Sequence, residues 1–101
     1  MKHVFALAAL GLAVAAGPVF AQAELAKQKN CLACHSTDKK LVGPSYKDVA
    51  AKYKADKDAP AKLAKKIREG GVGVWGQVPM PANPQVNEQE AASLAKWVLS
   101  Q

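Results

Sequence analysis

The two cysteines of the chain stand in one five-residue motif, Cys31-Leu32-Ala33-Cys34-His35, and no other feature limits the fold so strongly. Two thiols separated by two residues can each form a thioether to a vinyl group on one edge of a porphyrin, and the adjacent histidine can then turn its imidazole onto the iron. C-x-x-C-H is therefore the attachment motif for c-type haem. The other chemistries of a cysteine pair fit less well. A thioredoxin-like redox pair needs a βαβ setting that this chain lacks. A structural zinc ion needs about four Cys or His ligands, and beyond His3 the chain offers only Cys31, Cys34 and His35. A disulfide between Cys31 and Cys34 would close too small a loop to stabilise much.

Little chain is left to build a core around that motif. The sequence opens Met1-Lys2-His3, continues as an uncharged apolar run from Val4 to Ala16, and then reaches Gly17, Pro18 and the small-residue pattern Ala21-Gln22-Ala23. This is the pattern of a secretory signal peptide over residues 1–23, cut after Ala23, or after Ala21, where Val19-Phe20-Ala21 also ends in a small residue. A membrane span is the weaker reading, because the apolar run is shorter than the roughly 18–20 residues that cross a bilayer core and Pro18 interrupts it. Residues 24–101 then form a single domain, near the size at which an unaided hydrophobic core becomes marginal. A covalent cofactor would supply the missing staple. The chain is basic, with a formal net charge of +6. For an exported protein that balance suits an acidic redox partner rather than nucleic acid, and neither stable membrane insertion nor a fixed oligomer is expected.

Hydrophobic spacing predicts short helices and no strands. One covers Glu24 to about Leu32, with Leu25 and Leu32 seven residues apart. A second runs from Tyr46 to Tyr53 after the Gly43-Pro44 turn. A third runs from about Ala61 to Glu69, introduced by Pro60 and stopped by Gly70-Gly71. The last begins at Asn87 and Glu90, spaced as a capping box, and carries Ala91, Leu94, Ala95 and Val98. Between Gly70 and Pro84 the chain has four glycines and three prolines around Trp75 and Met80, which predicts an irregular loop, and a long loop in so small a domain is usually functional.

Haem iron bound by one imidazole keeps one axial position, and its occupant separates an electron carrier from a gas-binding or peroxidatic site. The chain offers Met80, a lysine, or nothing. Met80, the only methionine beyond Met1, lies between Pro79 and Pro81, whose restricted backbone suits presentation of a sulfur in one place. Methionine ligation would favour ferrous iron and raise the reduction potential.

Several stretches resemble the bacterial class I cytochromes c, specifically the small cytochrome c-551/c-552 (cytochrome c8) group. They are the C-x-x-C-H motif, Leu41-Val42-Gly43-Pro44-Ser45-Tyr46-Lys47-Asp48-Val49-Ala50, Gly73-Val74-Trp75-Gly76 with Pro79-Met80-Pro81, and Leu94-Ala95-Lys96-Trp97-Val98. The resemblance implies an all-α class I cytochrome c fold, about four short helices wrapped around one covalently attached haem, with the first and last helices crossing. It implies His35 and Met80 as axial ligands, the Pro44 carbonyl accepting the His35 Nδ1 hydrogen, Asn83 bonding the Met80 sulfur, and the Trp75 indole donating to a haem propionate. Lys66 stands where the group often has an arginine reaching a propionate, with Arg68 as a weaker substitute, and Asn30 stands where the residue before the first cysteine is often glycine. The function implied is that of a periplasmic one-electron carrier in a respiratory or denitrification chain, not an enzyme. Redox partners would dock transiently at an apolar haem edge formed by Leu32, Val42, Val78, Pro79 and Pro81 and ringed by Lys27, Lys29, Lys39, Lys40 and Lys47. A haem peroxidase and a ligand-sensing haem module are the competing classes, the former opposed by the lack of a distal histidine.

Overall fold

A computed structural model describes residues 18–101; the expected leader lies outside the described residues up to residue 17. The first helix, α1, spans Pro18–Gln28, so it starts earlier and ends sooner than the sequence predicts. Its end is set by Asn30, which adopts a left-handed backbone, φ 64°, ψ 19°. Asparagine tolerates this conformation better than other residues with a Cβ, which explains how it can stand where glycine is common. The chain then tightens into a 3-10 turn over Cys31–Ala33. Leu32 therefore leaves the helical face that carries Leu25 and is exposed.

The next two helices keep close to the predicted limits. Helix α2 is Tyr46–Lys52, started by the Ser45 hydroxyl, which accepts from the Asp48 amide at 3.1 Å. Helix α3 is Ala59–Glu69, with Pro60 in its first turn where no amide hydrogen is needed. The turn before it is closed by Asp56, whose carboxylate accepts from the Asp58 amide and from Lys62 Nζ, each at 2.8 Å.

The stretch expected to be irregular instead forms a small antiparallel hairpin, β1 (Gly71–Gly73) and β2 (Gly76–Met80), with Gly71 opposite Met80. Glycine and proline hid this strand signal. In a two-stranded ribbon every strand is an edge strand, so Pro79 can occupy a position whose missing amide costs no ladder bond. The fold is otherwise helical, as expected.

Helix α4, Glu88–Leu99, has the predicted capping box. The Glu90 amide donates to Asn87 Oδ1 at 2.8 Å, and the Asn87 amide donates to Glu90 Oε1 at 3.0 Å. Helices α1, α2 and α3 all pack on α4. Their shared core is Ala26, Tyr46, Val49, Leu63, Val86, Ala91, Leu94, Ala95, Trp97 and Val98. Lys29 fastens the end of α1 to the start of α4, donating to the Gln85 carbonyl at 3.0 Å and pairing with Glu90 at 3.5 Å.

Candidate haem site

The 3-10 turn and its C-cap bring Cys31 and Cys34 to the wall of one cavity of about 390 Å³, and both are free thiols. Burial, with Cys34 nearby, pushes the Cys31 thiol up from its ordinary pKa despite a backbone hydrogen bond that pulls the other way. Among the described residues no group of three or more His, Cys, Asp or Glu side chains is arranged to hold a metal ion.

His35 follows directly and is held on three sides. Its Nδ1 lies 2.8 Å from the Pro44 carbonyl oxygen. A carbonyl only accepts, so Nδ1 carries the hydrogen and Nε2 keeps a free lone pair. The ring stacks on Tyr46 with centroids 5.3 Å apart and planes 24° from parallel, and Tyr46 meets Trp97 of α4 edge-on at 5.0 Å. On the remaining side stands Gly43, where a Cβ would come within 2.5 Å of the imidazole Cε1. Only glycine fits there. The loop that supplies these groups is fixed to the motif by backbone bonds from Gly43 N to Cys34 O at 2.8 Å and from Tyr46 N to Ser36 O at 2.9 Å.

Met80 comes from the end of β2 and lines the same cavity as His35, Cys31 and Cys34. Its position depends on Gly70, with φ 72°, where a side chain would collide with the Met80 carbonyl and the Pro81-Ala82 backbone. The amide hydrogens of Asn83, expected to reach the Met80 sulfur, go elsewhere. Nδ2 donates to Ile67 O at 2.8 Å, with a longer contact to Pro81 O at 3.4 Å. Asn83 does not line the cavity. It ties the segment after Met80 to the end of α3, helped by its own amide donating to Arg68 O at 3.0 Å.

Pro44, Trp75 and Lys66 do line the cavity. Trp75 is 42% exposed, with Lys52 Nζ 5.5 Å from its ring centroid. Arg68 points away, donating to Val86 O and Glu88 Oε1, each at 3.3 Å, so it cannot replace Lys66. Most of the remaining wall is apolar, from Val42, Val72, Val74 and Val78 to Leu63, Leu94 and Val98 of the core, with Lys40 and Asp48 as its charged members.

The donor set fits a covalently attached haem. It combines two adjacent thiols, one imidazole with its free nitrogen, one thioether and apolar walls, in a cavity within the usual size range of cofactor sites. The Tyr46 hydroxyl is buried in that wall without a hydrogen-bond partner, the mark of a cavity whose full set of polar partners is not supplied by protein alone. Gly43 and Tyr46 are the residues that sequence reasoning did not single out. Their signal was adjacency to Pro44 and an aromatic at the start of α2, neither of which reveals a contact with His35.

Comparison with known proteins agrees with this arrangement. The family profile described as Cytochrome c matches residues 21–101. Cytochrome c-552 of Hydrogenobacter thermophilus is 54% identical over 101 residues, covering 99% of this chain and 98% of that one. Cytochrome c-551 of Pseudomonas aeruginosa is 57% identical over 77 residues, covering 76% of this chain and 73% of that one. The crystal structure of wild-type Nitrosomonas europaea cytochrome c552 superposes with a TM-score of 0.76 at 52% identity, covering 77% of this chain and 96% of that one.

Proposed function

The chain belongs to the cytochrome c family, and on that premise we propose that it is a periplasmic carrier of single electrons between proteins of a respiratory or denitrification chain, with His35 and Met80 as axial ligands of its haem. It is an electron-transfer protein with one covalently attached haem c, not an enzyme. The observation that carries the ligand assignment is that the free nitrogen of His35 and the sulfur-bearing side chain of Met80 share one cavity with the two thiols.

When bound, the haem supplies the redox chemistry, its iron alternating between ferrous and ferric. The protein's own residues do the rest. Cys31 and Cys34 hold the group to the 3-10 turn through two thioethers. The Pro44 carbonyl keeps the His35 hydrogen on Nδ1 and aims Nε2 inward, the arrangement that orients a ligating imidazole and raises its basicity. Met80, held by the hairpin and by the Asn83 link to α3, would supply a thioether sulfur as the second ligand, and an iron with both ligands in place would suit outer-sphere transfer. Lys66 and Trp75, which line the cavity, would offer a cation and an indole hydrogen to the haem carboxylates.

Docking of acidic redox partners falls on the exposed apolar side chains beside the motif. Leu32, Val42 and Val78 are 44%, 55% and 64% exposed. The surrounding charge is narrower than the sequence predicts. Lys29 is committed to Gln85 and Glu90, and Lys47 pairs with Asp38 at 2.6 Å. Of that ring, Lys27 on α1 and Lys39 and Lys40 on the loop after His35, all exposed, are the cations left to steer a partner. The N-terminal leader pattern accounts for export, and no described helix is long and apolar enough to cross a membrane.

Carbon monoxide tests the carrier reading against the enzyme and sensor readings. Reduced protein with Met80 bound leaves the gas no free axial site, so its spectrum stays unchanged on brief exposure at neutral pH. Rapid formation of a carbon monoxide adduct would contradict the proposal.

A further inference from the structure

Two bonds in the leader pattern satisfy a small-residue cleavage site, and the fold distinguishes them. Ala23 packs against the hydrophobic core, and Leu25 and Ala26 follow it into that core. Ala21 is exposed, whereas Gln22 and Ala23 are both part-buried. A cut after Ala23 removes the Ala23 contact and leaves α1 with residues 24–28 alone. A cut after Ala21 keeps Ala23 and two more helical carbonyls, those of Gln22 and Ala23, which accept from the amides of Ala26 and Lys27 in the i to i−4 pattern. In so short a helix each such bond matters, because its first turn fixes several residues for few bonds.

Resting on the export reading above, we infer that processing leaves Gln22 as the N-terminal residue and that this glutamine then closes to pyroglutamate. The α-amine, with an ordinary pKa of about 8, is partly unprotonated near neutral pH. Its lone pair attacks the side-chain amide carbon, a C–N bond forms in a five-membered ring, the Cδ–Nε2 bond breaks, and the nitrogen leaves as ammonia. No oxidant or reductant takes part. The product is a neutral lactam in place of an ammonium group at the start of α1, where the helix dipole disfavours positive charge. Cyclisation thus removes an electrostatic conflict that cleavage creates.

The test is the intact mass of the haem-bearing protein from a periplasmic extract quenched in acid at harvest, together with tandem mass spectrometry of its N-terminal peptide. The expected species is residues 22–101 plus one haem, lighter by one ammonia and resistant to stepwise degradation from the N-terminus. Gln22→Ala should give the same start, no ammonia loss and an open N-terminus. Residues 22–101 with an intact glutamine would overturn the cyclisation. A species beginning at Glu24, whether intact or lighter by one water, would overturn the cleavage position. A haem-bearing chain that keeps the leader would overturn the export reading itself, an outcome separate from the other two.

Discussion

At His35 three constraints from one loop converge on a single ring: a carbonyl 2.8 Å from Nδ1, a tyrosine face at 5.3 Å, and a glycine with no room for a Cβ. Each acts differently. The carbonyl selects the tautomer, the tyrosine limits rotation, and Gly43 sets how close the backbone can come. Replacing Gly43 with alanine must therefore move either the imidazole or the 35–45 loop. Such overpacking costs about 1–3 kcal/mol. Gly43→Ala should lower the urea midpoint of the haem protein correspondingly and broaden the low-spin signal of the ferric form as His35 leaves its aligned position. An unchanged midpoint and signal would show that the loop adapts freely. The motif cysteines and histidine were legible in the sequence because the chemistry fixes their spacing. Tyr46 was not, because its part in the site depends on a loop returning through space.

Among the elements, α4 was the easiest to read and the hairpin the hardest. The capping box of α4 is a local pattern, so Asn87 and Glu90 announce it without reference to the rest of the chain. Asn87→Ala should cost about 1 kcal/mol, read as a lower urea midpoint with unchanged slope. The same box gives a pH dependence. The Asn87 amide, and then Lys29, hold the Glu90 carboxyl below its usual pKa, and Lys62 with the Asp58 amide does the same for Asp56. A carboxyl depressed in the folded state contributes stability that is fully present above its unfolded pKa and is lost as pH falls through the folded one. The urea midpoint should accordingly fall as pH drops below about 4, and Glu90→Gln, which removes the titrating group, should flatten part of that fall. By contrast, β1 and β2 carry Gly or Pro at four of their eight positions, and their pairing is set by where α3 ends and Met80 must sit. The Asn83 link was hidden from the sequence for a similar reason. The side-chain amide serves the α3 terminus, a contact visible only once α3 and the segment after Met80 are brought together.

Across the whole molecule, the cavity brings Cys31, Cys34 and His35 together with the exposed Val42, Val72, Val74 and Val78 and with Lys40, while Leu94, Trp97 and Val98 of α4 line it from the core. The net positive charge was plain in the sequence, but its distribution was not, because composition cannot say that Lys29 and Lys47 have partners. Converting Lys39 and Lys40 together to glutamate should slow electron exchange with an acidic redox protein by about tenfold or more at low salt, with the difference closing as ionic strength rises. Rates equal to those of the unaltered protein would move the docking face elsewhere. The central claim is that this face opens onto an iron held by His35 and Met80. It is tested most directly by the optical spectrum of the purified ferric protein at neutral pH. The account predicts a low-spin c-type spectrum with the weak red-edge band of methionine sulfur on ferric haem, lost in Met80→Ala. A c-type spectrum without that band in the unaltered protein would contradict it.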